Sequence, residues 1–168
     1  MADDPPEKAE IIIPPNKLKN KVPYTDLGVD LRALEKAEQI IAGLQGDYLE
    51  WVEGDLANLQ ATYERAVTDA SNRQQHLTEV FQIAHDIKGQ GGSFGYHLII
   101  SITNYLCRVI ERTAEPREEH MAVIKLLIDA MRVVINKRLE GDGGTAGAEM
   151  IQGLRAVVQR VLPQIEPF

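Results

Sequence analysis

Between Asp47 and about residue 140, apolar residues recur three and four positions apart in four consecutive segments, parted by short breaks at glycine, proline or turn-forming residues. The first starts near Asp47 and carries Leu49, Val52, Leu56, Leu59, Tyr63, Ala66 and Val67. The second begins near Ser71 or Asn72, either a suitable N-cap. Its seam is Leu77, Val80, Ala84, Ile87, Gly91 and Phe94, and Gly95 ends or bends it. The third covers about 96–112 and stops before Pro116. The fourth, about 118–139, has Met121, Ile124, Leu127, Ile128, Met131, Val134 and Ile135 as its stripe. Amphipathic helices of about 16 to 26 residues with short links must run antiparallel to their neighbours. The expectation is an all-α protein, an up-down four-helix bundle over about 47–140. Flanking helices are expected at both ends, at about 30–44, closed by Gly46, and at about 145–162, between the glycines of 141–144 and Pro163. No alternating strand pattern and no internal repeat competes with this reading.

Residues 1–26 read as a flexible tail, because prolines at 5, 6, 14, 15 and 23 forbid regular structure and the charge runs acidic, then basic. Residues 27–162 then form a single helical domain. With 44% hydrophobic residues the chain can build a core, and 5% aromatic content favours aliphatic helix packing. A net charge of -7 leaves no basic stripe for phosphate backbones, so nucleic acid is not an expected partner. Cys107 is the only cysteine, which excludes an internal disulfide and a multi-cysteine zinc site. The acidic, proline-bearing start is unlike a signal peptide, and no apolar run approaches the roughly 20 residues of a membrane helix. A cytoplasmic protein with no membrane contact is expected.

The stretch Ala84–Tyr96, "AHDIKGQGGSFGY", places four glycines within a helical pattern, each costing about 1 kcal/mol relative to alanine. At about 100° per residue, His85 lies roughly 130° from the seam and faces solvent. Thr78, Phe81 and Gln82 share its surface on one side, and Lys88, Gly89 and Gly92 on the other. An exposed imidazole, ordinarily titrating at about 6.5, keeps a nitrogen lone pair at neutral pH and is a usable nucleophile. Lys88, three residues on, offers a cation to any anion carried on the ring. Gly89 and Gly92 remove side chains beside it, so a second protein can approach. Nucleophile, cation and cleared approach together describe a phosphoryl acceptor served by a docked partner.

The same residues resemble the histidine-containing phosphotransfer (HPt) domain of bacterial two-component phosphorelays. Its pattern is roughly His-x-(Leu/Ile)-Lys-Gly-(Ser/Ala)-x-x-x-(Leu/Phe)-Gly, matched by His85, Ile87, Lys88, Gly89, Phe94 and Gly95. Gln90 departs from the usual small residue, with consequences for local packing or partner choice. The resemblance covers about 47–140. It implies a phosphorelay carrier that takes a phosphoryl group from one receiver-domain aspartate onto Nε2 of His85 and passes it to another. Lys88 would stabilise the phosphohistidine. Gly89, Gly92, Phe81, Gln82 and Thr78 would form the docking surface. The implied partners are response-regulator receiver domains and a hybrid histidine kinase. No cofactor or metal site is implied here, because the Mg²⁺ of such transfers is held by the receiver.

Two other classes are weighed against this. A helical module that binds receivers without carrying phosphate would behave normally after His85→Ala. As an enzyme, the chain could use GQGGSFG as a phosphate-cradling loop, but a nucleotide P-loop ends in Lys-Ser or Lys-Thr and a di-iron bundle needs Glu-x-x-His pairs. The chain has neither, nor a recognisable kinase ATP-binding segment. His76, His97 and His120 read as surface or boundary residues. Cys107 reads as a small buried hydrophobe, and Trp51 as packed in the bundle or against the flanking helix at about 30–44.

Overall fold

A computed structural model describes residues 31–165, apart from the side chains of residues 31, 41, 42 and 44–47. The expected tail, residues 1–26, lies outside the described residues. The chain divides into two compact units, Met1–Glu38 and Gln39–Phe168. In the first, the described residues are helical. The second holds the bundle.

Among the described residues there are five helices and no strand: α1 (Leu31–Thr68), α2 (Arg73–Ser93), α3 (His97–Arg112), α4 (Glu118–Asn136) and α5 (Gly144–Val161). The fold is therefore an all-α helical bundle. One boundary differs from the sequence reading. Gly46 does not close a first helix, because α1 runs through it without interruption. A glycine lowers helix stability by about 1 kcal/mol but ends a helix only when the backbone turns left-handed there or the next residues cannot continue it. Here the residues that follow, Asp47–Glu53, continue the helix. The flanking helix at the other end is α5, which packs against α4 and α3.

The antiparallel order of α1 and α2 is visible in four contacts. At one end Arg65 pairs with Glu79 at 2.9 Å, and Arg73 Nε donates to the Ala66 carbonyl at 3.0 Å. At the other end Gln90 Nε2 donates to Asp55 Oδ2 at 3.2 Å, and the Tyr48 and Phe94 rings stack with centroids 4.3 Å apart. The Tyr63 hydroxyl donates to the Met121 carbonyl at 3.0 Å, tying α1 to α4. All seven stripe residues of α4 are buried, as are Leu77, Val80, Ala84, Ile87 and Gly91 of α2. Each fully buried Leu or Ile contributes about 1.5–3 kcal/mol.

α2 ends in a tight reversal. Gly95 takes φ +79°, a left-handed conformation that favours glycine. The Tyr96 N–H then reaches back to the Gly91 carbonyl at 2.8 Å, the six-to-one bond of a Schellman cap. Two further bonds join this turn to the one between α4 and α5. The Gly141 N–H donates to the Gly95 carbonyl at 2.7 Å, and the Leu98 N–H donates to the Gly141 carbonyl at 2.9 Å.

Candidate functional site on the outer face of α2

The whole run from Gly89 to Ser93 is α-helical, so the glycines do not form a loop around an anion. They divide by environment. A Cβ at Gly89 would meet nothing within 4 Å, and one at Gly92 would meet only Ile100 Cδ1 at an ordinary 3.5 Å. Both positions are exposed. Gly91 is buried, and a Cβ there would lie 3.3 Å from Ile99 Cγ2, tighter than a normal contact. Its absence of a side chain lets α2 and α3 approach. Gly95 makes the left-handed turn. The glycine cluster thus clears a surface at two positions and builds the fold at the other two.

His85 is exposed, on the same helix face as Thr78, Gln82, Gly89 and Gly92, all exposed too. Thr78 spends its hydroxyl locally, donating to the Gln74 carbonyl at 3.0 Å. Phe81 is half-buried and packs against the core. Lys88 is also half-buried, on the flank of α2 that meets α3. Its charge is felt by Cys107 of α3: burial pushes the Cys107 thiol up to about 11, and the Lys88 ammonium opposes that rise. Among the described residues Lys88 has no salt-bridge partner. A half-buried, uncommitted ammonium one turn from an exposed imidazole suits the binding of an anion between them.

Gln90, the departure from the motif, has a structural explanation. Its side chain crosses to α1 and binds Asp55, which a serine or alanine is too short to do. Pattern reading detected the departure but gave no partner for it.

The remaining histidines have other surroundings. His76 sits between Asp69 and Glu79, 3.5 and 3.7 Å away. His97 is exposed at the start of α3. His120 is only 6% exposed, and its Nδ1 accepts the Arg117 N–H at 3.1 Å, which corrects its reading as a surface or boundary residue. It serves the N-terminus of α4, where the first N–H groups lack helical partners. Trp51 is corrected in the opposite sense: it is 52% exposed rather than packed. Among the described residues no group of three or more His, Cys, Asp or Glu could hold a metal ion, and no helix is long and apolar enough to cross a membrane.

No curated protein and no solved structure matches the chain. The Hpt domain family matches residues 43–133, from within α1 to near the end of α4. Domains of this family are phosphocarriers rather than kinases, and they work with receiver domains. With more than half of its length matched, the chain belongs to the Hpt domain family of histidine phosphotransfer in phosphorelays.

Proposed function

We propose that this chain carries a phosphoryl group on His85 within a multistep phosphorelay, between a receiver aspartate upstream and another downstream. The observation that carries the reading is the exposed His85 with open space at Gly89 and a half-buried, unpaired Lys88 one turn away. In the transfer, the Nε2 lone pair forms an N–P bond as the P–O bond of the aspartyl phosphate breaks. The bonding electrons leave on the aspartate carboxylate, and the ring keeps its Nδ1 proton. Transfer onward reverses these steps on a second aspartate. Lys88 would hold the phosphoryl oxygens through charge-assisted hydrogen bonds. Gly89, Gly92, Thr78, Gln82 and Phe81 would line the docking face.

The upstream source is a hybrid histidine kinase acting through its receiver. A cytoplasmic setting accords with the acidic composition and single cysteine. The test is His85→Gln. It should abolish phosphoryl uptake from charged receivers and leave the melting temperature nearly unchanged, because an exposed side chain contributes little to stability. Uptake retained through His76, His97 or His120 would overturn the assignment. Wild-type signalling without uptake would leave a receiver-binding module in its place.

A further inference from the structure

His85 faces outward, yet its ring has an aromatic neighbour. Phe81, one turn earlier on α2, stacks on it with ring centroids 6.2 Å apart and planes 22° from parallel, within the range of attractive aromatic pairs. Helical Cα–Cβ bonds tilt toward the N-terminus, so residue 85 leans over residue 81 rather than over residue 89. Phe81 is anchored by its packing against the core, and on the opposite side Gly89 leaves open space. The imidazole has no hydrogen bond among the described residues. Without a restraint its terminal torsion would be broad and two-fold, turning either nitrogen outward.

We infer that Phe81 is a positioning residue: its anchored ring, near-parallel to the His85 imidazole, holds it in one orientation with the ring edge presented to an incoming phosphoryl group. This inference rests on the phosphotransfer reading above. Near-attack geometry matters for rate because a displacement of about 1 Å can cost about a hundredfold. An orienting contact therefore acts on the maximal transfer rate rather than on how tightly the partner docks.

The experiment compares the full chain with Phe81→Leu and Phe81→Tyr. Leucine keeps apolar bulk in the core, and tyrosine keeps the ring. The first measurement is the NMR signals of the His85 ring protons in the unphosphorylated protein. The second is single-turnover transfer from receiver domains charged with acetyl phosphate, across receiver concentrations. Phe81→Leu should shift the ring protons toward those of free histidine and lower the maximal rate about tenfold. Loss of the ring from the docking face can raise the half-saturating receiver concentration as well, so the maximal rate at saturating receiver is the deciding readout, and Phe81→Tyr should keep both signals and rate. Ring protons and maximal rate unchanged in Phe81→Leu would overturn the inference. So would a raised half-saturating concentration alone, which would make Phe81 a docking contact only. Absence of transfer in the wild-type protein would instead overturn the phosphotransfer reading, and the ring-proton comparison would still decide whether Phe81 holds the imidazole.

Discussion

Gly91 on α2 meets Ile99 on α3 so closely that a single added methyl group would lie 3.3 Å from Ile99 Cγ2. Two residues earlier, Gly89 faces nothing within 4 Å. The pair predicts opposite responses to enlargement. Gly89→Ala should stabilise the fold by about 0.4–1 kcal/mol, because it gains helix propensity without a clash. Gly91→Val should destabilise it by about 1–3 kcal/mol through overpacking against a fully buried Ile99. Thermal melts of the two variants check this, and a stable Gly91→Val would show that the α2–α3 contact yields easily.

Gly89→Gln separates stability from access. The longer side chain retains most of the helix gain but puts several atoms where, in the proposed transfer, a receiver would close on His85. The expected protein is folded, at least as heat-stable as wild type, and poor in both receiver binding and phosphotransfer. A melt, a receiver titration and a transfer assay on one preparation decide the matter. Undiminished transfer would show that the open space at Gly89 is not an approach path.

Lys88→Ala should still accept phosphate but transfer it more slowly or hold it for a shorter time. The lost charge-assisted bond corresponds to about 1.5–3 kcal/mol, roughly ten- to a hundredfold in rate or lifetime. Equal rates and equal phosphohistidine lifetime would remove Lys88 from the mechanism.

Cys107 gives the fold an alkaline weakness. Burial raises its thiol to about 11 from an ordinary 9.0, with the Lys88 ammonium working against the rise and Glu111 adding to it. The folded state thus favours the neutral thiol. Its contribution is complete below about pH 9 and is lost as pH rises toward 11. The buried Tyr48, raised to about 12, adds a similar loss above its ordinary range. Melting temperature should fall between pH 9 and 11 and fall less in Cys107→Ala. Parallel curves for the two proteins would contradict this.

Much of this arrangement was legible in the sequence because it depends on periodicity. The seam of α2 and the stripe of α4 are three-and-four patterns, and burial follows them at every position except Phe94, which is half-buried beyond the end of α2. The outward face of His85 is the same arithmetic applied to a polar residue. What periodicity cannot supply is context. A glycine inside a helical pattern reads alike at 46, 89 and 91, yet the first simply continues α1, the second opens a surface and the third admits a neighbouring helix. His120 looked like a boundary residue because its value lies in one backbone bond to Arg117. Its spacing of three from Arg117, just after Pro116, was the available signal of a helix start. Trp51 is exposed while Tyr48, Val52, Leu56, Leu59 and Tyr63 of the same helix are buried, so its apolar character alone does not place it in the core.

The two backbone bonds that join Gly141 to Gly95 and Leu98 bear on how the molecule breathes. A turn held on both its N–H and its C=O cannot open without releasing its partner, so α5 and the last turn of α2 belong to one cooperative unit. Hydrogen exchange at the amides of Leu98 and Gly141 should then report a common opening free energy. A sequence change that loosens the turn before α5 should then be felt at the glycine-rich end of α2.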